Sequence, residues 1–141
     1  MAVQKFDAVG HEVNPGLGAA LAGAAVSVTT AGTIAGTTAA GAAPTVAIPS
    51  GFTCNDRRGV FELSPVTGGG AQAAGDVATV RFVQPYAAVP GAVLITCEAI
   101  TDPDDNVICV ASDVTVAGFN VLADAALTTA EDYRITYVVV P

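Results

Sequence analysis

Tyr133-Arg134-Ile135-Thr136-Tyr137-Val138-Val139-Val140 is the stretch on which the fold turns. Tyr133, Ile135, Tyr137 and Val139 recur with a period of two, while Arg134 and Thr136 hold alternate places. One face of such a segment is apolar and the other meets water, which is the pattern of a half-buried strand. β-Branched and aromatic residues fill the run, as a pleated surface favours.

The same period runs through the preceding residues. Val60 to Leu63 sets Phe61 and Leu63 opposite Glu62, and Val77 to Val83 sets Ala78, Val80 and Phe82 inward with Thr79 and Arg81 outward. Val93, Ile95, Cys97 and Ala99 share one face of a further strand. Leu94 on its other face is also apolar, which predicts cover on both sides. Val114 to Val116 and Phe119 to Leu122 flank Ala117-Gly118, a tight turn whose glycine permits positive φ. Short strands, Gly/Pro/Asp turns and no long helical pattern predict an all-β protein, an antiparallel β-sandwich of jelly-roll or Ig-like type.

The first part of the chain reads differently. From Val13 to Asn55 no side chain is charged, and Ala, Gly, Thr and Val dominate. Glycine does not recur at every third place, so a collagen helix is excluded. Two readings stand: a flexible linker, or an extended arm ordered by neighbouring subunits. Val26-Ser27-Val28-Thr29 and Thr45-Val46-Ala47-Ile48 alternate as short strands would, and this exceeds what a spacer requires. In Met1 to Glu12 the spacing of Val3, Phe6 and Val9 suits one helical turn or an irregular docked segment. The expected division is an N-terminal arm over residues 1–50 and a β-domain over residues 51–141.

Composition bounds the function. The 141 residues are 52% hydrophobic but only 6% aromatic, without Trp, so the core is built from small and β-branched side chains. A folded part of roughly 85 residues buries about 60 to 65% of its unfolded surface, a range in which self-association commonly completes stability. Net charge is −8, and Lys5, Arg57, Arg58, Arg81 and Arg134 are dispersed. That field repels phosphate backbones and anionic lipid, so neither nucleic acid nor membrane is an expected partner. The apolar run Leu17 to Val26 is short of the about 20 residues a bilayer span needs. Asp7 and Glu12 precede it where a signal peptide would be basic, so we expect a protein made in the cytoplasm.

Catalytic patterns are absent from the sequence. His11, the only histidine, lies far from the β-domain, which leaves a Ser-His-Asp or Cys-His relay without a base. Asp102, Asp104, Asn106 and Asp113 fall at calcium-loop spacing, but Val107 stands where the sharp turn needs glycine. Gly68-Gly69-Gly70 is followed by no Lys-Ser/Thr, so it reads as a loop and not a phosphate cradle. Cys54, Cys97 and Cys109 lack CxxC spacing. A hairpin centred on Pro103 would set Cys97 opposite Cys109 with Cβ atoms about 4.5 to 5.5 Å apart, against roughly 3.8 Å in a relaxed disulfide. Buried free thiols are therefore expected, with no catalytic residue, cofactor or metal.

From about Ala43 the chain resembles a β-sandwich module that recurs in fibres and decoration proteins of tailed bacteriophages. The stretches that carry the likeness are Ala43-Pro44-Thr45-Val46; Asn55-Asp56 with Gly59; Ala78-Thr79-Val80-Arg81-Phe82 leading to Pro85-Tyr86-Ala87; Pro90; Thr115 to Phe119; and Ala126-Leu127 leading to Tyr133 through Val139. The resemblance implies a homotrimeric virion structural protein without catalytic residues. With one head module and an arm, it implies a capsid decoration protein or head fibre on the capsid exterior. The arm would grip the major capsid protein through Val3, Phe6, Val9, Leu17 and Leu21. Alternatives are a short tail fibre or receptor-binding module that meets a host-surface glycan, and a non-viral carbohydrate-binding or adhesive β-domain.

Overall fold

The structure is a computed structural model that describes residues 5–6, 12–13, 34–65, 72–105 and 107–141. Among these residues are ten strands: β1 (Lys5–Phe6), β2 (Glu12–Val13), β3 (Ile34–Gly36), β4 (Thr45–Ala47), β5 (Arg58–Ser64), β6 (Gly75–Arg81), β7 (Ala92–Ala99), β8 (Cys109–Thr115), β9 (Gly118–Ala123) and β10 (Tyr133–Val140). One 3₁₀ turn, Thr38–Ala40, is the helical element among the described residues. Two four-stranded antiparallel sheets, β4-β5-β10-β7 and β3-β6-β9-β8, pack as a β-sandwich. β1 and β2 form a separate antiparallel pair, Lys5 opposite Val13 and Phe6 opposite Glu12. Lys5 and Phe6 are thus extended, where a spacing of three suited a helical turn.

The 133–140 stretch becomes β10, flanked by β5 on one side and β7 on the other. Its alternate residues Tyr133, Ile135, Tyr137 and Val139 are all buried. Phe61 and Leu63 of β5 join them from one neighbour, and Val93, Ile95, Cys97 and Ala99 of β7 pack from the other. The second sheet answers with Val80, Phe119, Val121 and Ala123. Aromatic rings link the layers: Phe119 lies 5.3 Å from Tyr137 and 6.0 Å from Phe82, centroid to centroid. With no Trp, these few rings supply much of the apolar area that the small residues cannot.

Three sequence readings change. Leu94 is 62% exposed, so β7 is an edge strand covered on one face only. In β6 both Val77 and Ala78 are buried, because a bulge between Asp76 and Ala78 breaks the alternation. The domain division also moves. β3 and β4 both precede residue 51, yet they form edges of the two sheets, and Ile34 and Ala40 are buried in the common core. Among the described residues the sandwich therefore begins at Ile34, since short Ala/Thr/Ile segments without charges are well suited to edge strands.

Within the sandwich only β4–β5 and β8–β9 are consecutive strands paired in one sheet. The other consecutive strands of the sandwich switch sheets. The 100–108 segment expected to top a hairpin instead crosses from β7 in one sheet to β8 in the other. Along both lateral margins the sheets pinch together: β7 approaches β8, and β3 approaches β4, within 8 Å between Cα atoms. Face-to-face sheets usually stand about 10 Å apart.

Candidate functional site

Strand direction gives the sandwich two unlike ends. One end gathers the 48–57 and 82–91 loops, the β8–β9 turn, Val140-Pro141 and the beginning of β3. The other gathers residues 37–44, 100–108 and 124–132. Arg57, Arg58 and Arg81 lie at the first end, with Asp56. Asp102, Asp104, Asp105, Asp124, Glu131 and Asp132 lie at the second. The loop charges thus separate along the long axis, while Arg134 pairs with Glu62 toward the acidic end and Asp113 lies toward the other.

The Arg-bearing end is built around Asp56, which is buried although it sits in a polar turn. Its carboxylate accepts hydrogen bonds from the Val83 N–H at 2.8 Å and the Gln84 N–H at 3.0 Å. The Tyr86 hydroxyl donates to the Asp56 carbonyl at 2.7 Å, and the Tyr137 hydroxyl to the Asn55 carbonyl at 2.6 Å. The Asn55 side-chain oxygen accepts from the N–H groups of Arg57 and Arg58. Gly59 is required beneath this corner: a Cβ there would stand 2.6 Å from both the Cys54 sulfur and the Tyr137 ring. Burial pushes Tyr137 well above the usual phenol range, with the neighbouring Cys54 and Asp56 groups adding to the shift. Burial likewise raises the Cys54 thiol.

At the acidic end a shallow depression of about 370 Å³ is lined by Asp102, Asp104, Asp105, Thr128 and Glu131. Much of its acidity serves the loops. Glu131 is buried and accepts from the N–H groups of Thr101 at 2.6 Å and Asp102 at 3.0 Å. Asp102 accepts from the Asp104 N–H. The Tyr133 hydroxyl donates to Asp105 and accepts from the Thr128 N–H, which ties the two crossing loops. Burial and this bond to Asp105 push Tyr133 up to about 12. The same bond holds Asp105 below its ordinary value. The calcium-loop spacing does not assemble: Asp113 lies on β8, where Asn120 donates to it at 3.1 Å, and Asn106 lies outside the described residues.

Asn120 also donates to Asp76 at 2.9 Å, and Ser112 donates to Asp76 at 2.6 Å, so the outer face of the β3-β6-β9-β8 sheet carries a hydrogen-bonded polar group beside the exposed Val110. The outer face of the other sheet carries a larger apolar group. Val138 sits level with Leu94, Thr136 with Val60 and Thr96, and Val140 with Ala92. Leu94, Val138 and Val140 are exposed, at 62%, 43% and 44%. Phe52, on the 48–57 loop, bounds a groove of about 240 Å³ with Val60, Thr136 and Val138. The Arg134 guanidinium stands 5.9 Å from its ring and pairs with Glu62 at 2.9 Å.

Of the residues expected to anchor the protein, Val3, Val9, Leu17 and Leu21 lie outside the described residues. Phe6 is described by its backbone alone, in β1. His11, the 26–29 alternation and Gly68-Gly69-Gly70 also lie outside them. Sequence reasoning missed Asp56 and Glu131, because a carboxylate in a turn reads as solvated until distant loops supply its donors. It also took the outward residues of β10 as polar from Arg134 and Thr136, although Val138 and Val140 continue that face. Comparison of the chain with protein-family models, curated proteins and solved structures finds no match in any of the three.

Proposed function

We propose that the chain is a virion structural protein of a tailed bacteriophage, a capsid decoration or head-fibre protein. Its N-terminal segment grips the major capsid lattice, and its sandwich projects outward as a homotrimer from the capsid exterior. The observation that carries this reading is the polarity of the sandwich. Ile34 joins it at the Arg-bearing end, so the acidic loops stand at the end opposite Ile34. A protein present in many copies gains solubility from an outward acidic end and a net charge of −8. The apolar outer face around Leu94, Val138 and Val140 supports self-association, which a small core of this kind favours. The reading needs no catalytic group, cofactor, nucleic acid or membrane.

The test is co-sedimentation with bare capsids of the phage that encodes the protein. The full chain binds stoichiometrically, whereas a chain begun at Ile34 stays in the supernatant. Undiminished binding by the shortened chain refutes the anchoring. The open depression at the acidic end favours a second reading, a short tail fibre that meets a host-surface glycan. In that case the sandwich alone adsorbs to host cells and competes with infection.

A further inference from the structure

Cys97 and Cys109 were expected to oppose each other across one hairpin, where a disulfide is strained. The structure removes that premise. Cys97 lies on β7 of one sheet, level with Ile135, and Cys109 opens β8 of the other, level with Ala123. Both belong to the core: Cys109 is buried and Cys97 is partly exposed. Their strands form the margin where the sheets pinch to within 8 Å between Cα atoms, and a disulfide spans Cα atoms about 4.4 to 6.8 Å apart. The two side chains stand close enough across this margin for their titrations to depend on one another.

We propose that Cys97 and Cys109 are a disulfide-forming site that, on oxidation, ties the two sheets together at their β7–β8 margin. The oxidant is a small dialkyl disulfide. The Cys97 thiol, the more exposed, loses its proton and attacks one sulfur of the reagent, forming a mixed disulfide and expelling one alkyl thiolate. The Cys109 thiolate then attacks the Cys97 sulfur and expels the second alkyl thiolate. Two S–H bonds are lost and one S–S bond is gained; the reagent takes up the two electrons and both protons as two thiols. The two thiols titrate as a pair, so loss of one proton leaves a single thiolate beside the remaining S–H, and one sulfur at a time serves as nucleophile. Asp105 stands near Cys97 and Asp124 near Cys109, so an uncharged reagent is received better than an anionic one such as glutathione disulfide. Cys54 is no third partner, because it is buried beside Tyr137 and donates to the Val60 carbonyl at 3.2 Å.

The full-length protein is incubated with bis(2-hydroxyethyl) disulfide or with dithiothreitol, then denatured for thiol titration, intact mass and peptide mapping. Oxidised chains are expected to show one titratable thiol in place of three, a mass lower by two hydrogens, and a Cys97–Cys109 peptide pair within one chain. Closing the short loop between them raises the thermal midpoint by roughly 10 °C, and dithiothreitol reverses the rise. Three remaining thiols, a persistent mixed disulfide on Cys97, or a bridge that involves Cys54 or joins two chains would each overturn the proposal. So would a bridged chain that melts no higher than the reduced one. The readout is taken on the unaltered protein, so it does not depend on any variant folding.

Discussion

Single residues hold this sandwich where chain meets chain most closely. Gly118 follows the β8–β9 turn with φ 152°, and a Cβ there would stand 2.1 Å from the Val80 carbonyl oxygen. Val80 is backbone of the adjacent strand and cannot swing aside. Gly118→Ala is therefore expected to cost about 2 to 4 kcal/mol, read as a lower urea midpoint with an unchanged slope. Tyrosines give a second residue-level expectation. Tyr133 titrates near 12 in the folded chain against an ordinary value of 10, and Tyr137 is shifted the same way by burial. Below pH 10 both states keep the Tyr133 proton and its contribution to stability is whole. Between pH 10 and 12 the unfolded chain releases that proton while the folded chain keeps it, so stability falls as pH rises, and Tyr137 continues the fall above the window. Urea midpoints measured across that window, with tyrosinate absorbance of the folded protein, check the sign. A flat profile through the window contradicts it.

At the scale of elements, the two sheets differ in what they turn outward. The β3-β6-β9-β8 sheet presents Asp76, Ser112, Asp113 and Asn120 in one hydrogen-bonded group, with Val110 exposed beside it. The β4-β5-β10-β7 sheet presents Leu94, Val138 and Val140 beside the Phe52 groove. Edge strands normally carry charges that discourage association, yet the outward places of β7 hold Leu94 and Thr96 before the first charge at Glu98. If this face joins subunits in the proposed trimer, Leu94→Lys with Val138→Lys yields a monomer in light scattering. Surface substitutions of this kind change stability within about 0.5 kcal/mol, so the monomer's circular dichroism remains that of the parent. A trimer that persists in the double variant would remove this face from the interface.

The whole molecule sets where it can be cut. Because β3 and β4 are edges of separate sheets and Ile34 and Ala40 are core, the sandwich needs residues 34–50. A chain begun at Ile34 is expected to melt within a few degrees of the full protein. One begun at Gly51 loses both edges and melts lower by about 10 °C or more. Equal midpoints for the two shortened chains would contradict the 34–50 contribution. The same comparison protects the capsid-binding experiment, since a loss of binding at Ile34 then reports the missing segment and not an unfolded sandwich.

The sequence by itself determined the class of fold and most of its inward faces. Period-two alternation names Phe61, Leu63, Ala78, Val80, Tyr133, Ile135, Tyr137 and Val139 as core, and each is buried. It also placed the Ala117-Gly118 turn. That much is local, because alternation follows from the pleat of a single strand. Only the tertiary structure decided which strands share a sheet, and everything that depends on it. Alternation looks the same in a hairpin and in a crossover, so the 100–108 segment could not show from its residues that it changes sheets. The separation of Arg-bearing and acidic ends, the burial of Asp56 and Glu131, the exposed face around Leu94 and Val138, and the meeting of Cys97 with Cys109 between sheets all follow from that pairing. Each joins residues whose proximity is created by long-range packing, for which a strand's own pattern carries no signal.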